Sequence, residues 1–143
     1  MSAQKPRMEL AIGLGCRRGV SGAVIVSLVR EALAMIEHVG AAALFTADAK
    51  RAETGLAQAA HSLAMPLHFL PQEALAAVAD QAQTRSSRVE SLFGVPSVAE
   101  TAALAGAGPG AVLILPRITS DNATCAIATC AIARAALTQE AAP

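Results

Sequence analysis

The chain has 143 residues, enough for one domain whose core needs no metal or disulfide staple. Its hydrophobic fraction of 54% rests on alanine and aliphatic side chains with 2% aromatics, and 11 basic residues balance 11 acidic ones. No overall field draws such a chain to nucleic acid, the aromatic platforms that single strands stack on are missing, and no apolar run approaches the roughly 18 residues of a membrane span.

A soluble cytoplasmic protein is expected, with neither nucleic-acid nor membrane partners, because the polar start Met1–Met8 leads into no apolar leader. Cys16, Cys125 and Cys130 form neither a CxxC pair nor an even disulfide framework, which suits a reducing compartment. No structural zinc, other metal or cofactor is expected.

In chain order, Met8–Leu14 (MELAIGL) is a short apolar run, and helical spacing follows from Ser21 at Ile25, Leu28, Val29, Ala32, Leu33 and Ile36. Ala42–Thr46 is a second strand, and Thr54–Ala64 a helix with Leu56, Ala59, Ala60 and Leu63 on one face. Pro66–Leu70 is a third strand, and Pro71 then opens a helix reaching about Asp80, since proline loses nothing in a first turn. Gln81–Arg88 is polar and aperiodic and reads as a mobile loop within one domain spanning residues 1–143, with flexible ends at 1–7 and 138–143.

Ser87 with Glu90 and Ser97 with Glu100 each fit the S-x-x-E capping box, predicting short helices at Val89–Phe93 and Val98–Ala105. Ala111–Leu115 is a buried strand, Pro116–Asn122 a turn region, and Thr124–Ala133 reads as strand first, with helix as the alternative beyond Thr129. Alternating strands and helices predict an α/β fold, a mostly parallel sheet of roughly five strands with helices on both faces. Ligands of such sheets bind at the carboxyl ends of strands.

At that edge, Gly13-Leu14-Gly15-Cys16-Arg17-Arg18-Gly19-Val20-Ser21 joins the first strand to the first helix, and its amides and arginines suit a carboxylate or phosphate. The spacing is neither a Walker A motif nor a full G-x-G-x-x-G, so no nucleotide is implied; a tight turn with two solvated arginines is the plainer alternative. Cys16 lies beside two cations, a setting that lowers a thiol pKa, although cysteine is more often a small buried apolar residue. His38, His61 and His68 fall away from the strand ends, so no Cys-His pair is supported.

After the second strand, Asp48, Lys50 and Glu53 reach the same edge, where a lysine and a carboxylate can position a substrate and move a proton. They equally fit a helix start capped by Asp48 or Thr54, with Glu53 favoured by the helix dipole. Glu100, three residues after Ser97, reads as a catalytic acid or, more plainly, as a capping-box glutamate, and Arg117, Asp121, Asn122 and Thr124 as completing a site or as forming a solvated turn.

Taken together, GLGCRRG at 13–19, TADAKRAETGL at 46–56, LAMPLHFLPQEAL at 63–75, GVPSVAETAAL at 94–104 and TCAIA at 124–128 resemble, in order, the cobalamin-biosynthesis family of CobE and the CbiG C-terminal domain. The resemblance runs from Glu9 to about Ala133 and implies a role in building the corrin ring. CbiG-type members carry a further N-terminal domain and are associated with opening a lactone on a cobalt-containing precursor; this chain looks like the stand-alone CobE type. The family motifs select Cys16, Arg17, Arg18, Lys50, Glu53, Ser97 and Glu100.

The ligand so implied is a corrin precursor, an apolar macrocycle ringed by acetate and propionate arms. Gly13, Gly15, Gly19, Ser21 and Thr124 join the family-selected residues as candidate contacts. Two activities are carried forward: a carrier passing the precursor between pathway enzymes, and a hydrolase of a lactone or acyl group using Lys50, Glu53 or Cys16.

Overall fold

Alternation of small and large apolar residues along the first strand dictates how the chain folds around it. In a computed structural model, residues 8–36, 40–84, 97–120 and 128–135 are described. Strand β1 (Met8–Cys16) turns Leu10, Ile12, Leu14 and Cys16 to one face and Ala11 with the two strand glycines to the other. Helices α1 (Gly22–Ala34) and α2 (Thr54–Leu63) cover the large side chains. Helix α4 (Val98–Ala107) lies over the small ones, joined by α3 (Gln72–Ala77).

The remaining strands are β2 (Ala41–Ala47), β3 (Leu67–Leu70), β4 (Val112–Thr119) and β5 (Ala128–Arg134), in the spatial order β3-β2-β1-β5-β4. β1, β2 and β3 pair in parallel, while β5 is antiparallel to both β1 and β4. The sheet is therefore mixed, with β5 alone reversed. The stretch between Thr119 and Ala128 is too short for the crossover of about a dozen residues that a parallel neighbour requires.

Three expectations are corrected. β1 runs on through Cys16, because β5 pairs with it as far as Cys16 and Ala128, so the expected Gly13–Ser21 loop shrinks to Arg17–Ser21. β4 continues to Thr119 where a turn from Pro116 was expected; β4 is an edge strand, the place in a sheet where a proline without an N–H is tolerated. Pro71 precedes α3 as its N-cap and does not occupy its first turn, and α3 ends at Ala77. The helix expected at Val89–Phe93 and the cap at Ser87 and Glu90 lie outside the described residues.

The small face of β1 sets the closeness of α4. A Cβ at Gly13 would run into the Ala99 carbonyl and the Ala103 amide, and one at Gly15 into the Thr129 hydroxyl. Only glycine permits this approach. Gly15 meets the start of α4 and Phe45 meets Gly106 near its end, so α4 runs antiparallel to the parallel strands and places its N-terminus at their carboxyl ends. The N-termini of α1, α2 and α4 thus share one rim with the β1 and β2 loops.

Candidate functional site

The rim is built from two loops and joined by one side chain. Pairing of β1 with β2 ends at Gly13 and Phe45, and beyond it the buried Thr46 hydroxyl donates to the Leu14 carbonyl at 2.7 Å, closing the fork where the strands part. Sequence reasoning missed Thr46 as a functional residue, since its partner lies on a neighbouring strand. Past the fork, Arg17, Arg18 and Gly19 are exposed, and Gly19 turns the chain with φ of 82°. The Val20 amide donates back to the Arg17 carbonyl at 3.3 Å, and Val20 itself is buried.

Ser21 ends the loop as the N-cap of α1, its Oγ accepting from the Val24 amide at 3.2 Å. Its oxygen satisfies a free helix amide, which gives it a structural task. After β2, a single 3-10 turn at Asp48–Lys50 delivers Lys50, half-buried, and Glu53 follows at the N-cap position of α2. Neither Asp48 nor Thr54 caps that helix, contrary to expectation. Asp48 is held by Arg51 in an ion pair of 2.6 Å, and the Arg51 guanidinium lies 4.6 Å over the Phe69 ring.

Glu53 makes no capping bond to its own helix; its Oε1 accepts from the Gly19 amide at 2.9 Å, tying the second loop to the first. Lys50 and Glu53 both act electrostatically on Cys16 at the floor of this junction. The loop of the exposed Arg17 and Arg18 and the loop of Lys50 and Glu53 therefore adjoin on one rim. The Cys16 thiol is nonetheless no activated nucleophile: burial pushes it up to about 11, Lys50 lowers it less, and Glu53 raises it further.

The other candidates lie elsewhere. Gly13 and Gly15 sit within β1 under α4, where packing accounts for them. Ser97 and Glu100 are fully buried, so neither is placed to meet a ligand. Ser97 Oγ accepts from the Glu100 amide at 3.2 Å, which is half of the expected capping box. The other half is absent. Glu100 Oε1 accepts from the amides of Gln83 at 2.7 Å and Thr84 at 2.8 Å, and Oε2 from the Thr84 hydroxyl at 2.7 Å and the Arg117 amide at 2.9 Å.

That carboxylate holds the first part of the expected mobile loop, and residues 85–88 of it lie outside the described residues. So do Asp121, Asn122, Thr124, Cys125 and His38. His61 and His68 are exposed on α2 and β3, with His68 stacked on Phe45 at 5.0 Å between ring centroids. Among the described residues, no group of three or more His, Cys, Asp or Glu can hold a metal, and no helix is long and apolar enough to cross a membrane.

A groove of about 600 Å³ begins at Gly22, directly after the cationic loop, and runs between α1 and α2 past Ala23 and Val26 to Arg30, with Gln58 on its far wall. Concavity and charge thus adjoin.

Fold and rim define an α/β domain with a cationic loop at a strand-end edge, and comparison with known proteins makes the class specific. The family model described as cobalamin synthesis G C-terminus matches residues 10–128. A protein CobE from a Sinorhizobium species is 36% identical over 124 residues, spanning 83% of this chain and 79% of its own length.

The crystal structure of a CobE described as a protein from the cobalamin (vitamin B12) biosynthetic pathway superposes with a TM-score of 0.80 at 33% identity, over 93% of this chain and 95% of that one. That of the cobalamin biosynthesis protein chiG from Agrobacterium tumefaciens gives a TM-score of 0.69 at 38% identity, over 90% of this chain and 99% of that one. The chain belongs to the CobE and CbiG C-terminal family of cobalamin-biosynthesis proteins.

Proposed function

We propose that this chain binds a carboxylate-rich corrin precursor at the rim and carries it between enzymes of the pathway. The observation that carries this reading is the bond from the Gly19 amide to Glu53, which ties the loop bearing the exposed Arg17 and Arg18 to the one bearing Lys50, next to the end of α1 where the groove starts at Gly22. Acid arms of the ring meet the cations and amides of the loop. The macrocycle rests on the small side chains of the groove, whose volume lies in the range of small-molecule sites.

Hydrolysis through Cys16 is disfavoured on chemical grounds, since a thiol pushed up to about 11 is almost wholly protonated near neutrality. A carrier needs recognition and release, and the rim supplies groups for both. The partners this implies are the pathway enzymes that make and consume the precursor.

The test is a titration with cobyrinic acid, the corrin whose arms all end in free carboxylates, set against its fully methyl-esterified form, followed by corrin absorbance. The acid binds and the ester does not. Equal binding of both forms, or of neither, refutes the reading, and turnover of the acid to a new mass refutes the carrier role while keeping the site.

A further inference from the structure

We propose that the Glu53 carboxylate is a built-in stand-in for a ligand carboxylate, occupying the loop amide in the empty protein and lowering affinity so that the cargo can leave. The inference rests on the binding reading above. Glu53 sits at the start of α2, where free helix amides are closest to it, yet its side chain caps none of them. It reaches instead to the loop before α1 and takes the Gly19 N–H at 2.9 Å across 34 residues of sequence.

Gly19 is exposed, and the neighbouring Val20 amide is already turned back to Arg17, so the Gly19 N–H is an outward-facing donor of this turn. A carboxylate on that donor makes the hydrogen bond that an acetate or propionate arm would make. The negative charge also reaches the floor of the junction, where it opposes ionisation of Cys16. A second anion arriving beside Arg17, Arg18 and Lys50 must displace Glu53 from Gly19 or bind against its charge. Either route weakens binding and speeds release, because differences in affinity among variants of one site fall mainly on the dissociation rate.

Glu53→Gln separates charge from shape, since the amide keeps an oxygen for Gly19 and loses the negative charge. E53Q binds cobyrinic acid roughly tenfold tighter than wild type and releases it more slowly, as removal of one nearby like charge implies. Thermal melts of E53Q and of Glu53→Ala report the fold independently, and the Gly19 amide resonance of wild type shifts as ligand replaces Glu53.

If E53Q binds no tighter than wild type while wild type binds the acid, the stand-in role is overturned and the binding site survives. Weaker binding by E53Q has the same consequence, showing that Glu53 only shapes the loop. Binding by E53Q alone, or by neither protein, removes the reading beneath the inference and the inference with it.

Discussion

At the scale of single residues, two buried thiols show how burial decides chemistry where neighbouring charges suggest otherwise. Cys130 is fully enclosed and its thiol is pushed up to about 12, with burial as the cause; Cys16, between Lys50 and Glu53, reaches about 11. Both folded pKa values exceed the ordinary 9.0, so the folded state holds these protons more tightly than the unfolded chain does. The stabilisation is complete below pH 9.0 and is lost as pH rises towards those values.

Each thiol contributes a slope of about 1.4 kcal/mol per pH unit in that window. The chain has no tyrosine, which removes one competing alkaline titration. Melting temperature therefore holds up to about pH 9 and falls between about pH 9 and about pH 11 in wild type, and falls less steeply in Cys130→Ala. Equal slopes in the two proteins contradict the assignment.

At the scale of elements, Glu100 illustrates what the sequence displays and what it hides. The S-x-x-E pattern at Ser97 placed the start of α4 correctly, because a cap is a local device. The partners of the carboxylate are not local: Gln83 and Thr84 arrive from the loop after α3 and Arg117 from β4, where pairing with β5 slips between Leu115 and Ile118. Glu100 accepts the Arg117 amide at that irregularity. Glu100→Ala leaves three backbone amides without acceptors and destabilises by on the order of 3 kcal/mol or more, read from urea unfolding. A loss of corrin affinity with unchanged stability contradicts this role.

The parallel core β1-β2-β3 and helices α1 and α2 were legible because apolar spacing and glycine punctuation are written locally. The reversal of β5, the length of β1 and the depth of Gly13 and Gly15 were not, since each depends on which strand or helix lies alongside. The rim itself was half legible. Position after a strand was enough to bring Arg17, Arg18, Lys50 and Glu53 together, whereas the Gly19 to Glu53 bond and the burial of Cys16 follow from how α1 and α2 meet.

At the scale of the whole molecule, 11 basic and 11 acidic residues leave no net field, so the proposed attraction of a polyanionic ring rests on where charges stand. The exposed Arg17 and Arg18 make no ion pair among the described residues, whereas Arg51 at the same edge is engaged by Asp48 and Phe69. An anion bound by exposed cations is screened by salt over a Debye length of about 8 Å at physiological ionic strength. The proposed binding therefore predicts that cobyrinic acid affinity falls as salt is raised. Replacing both Arg17 and Arg18 by Ala weakens it roughly three- to tenfold at low salt and flattens its salt dependence. Arg51→Ala, which removes one positive charge from the same edge, moves affinity by much less than half of that effect because its guanidinium already serves Asp48. Should the Arg51 variant lose as much binding as the double variant, a diffuse positive edge and not the β1 loop recognises the ring.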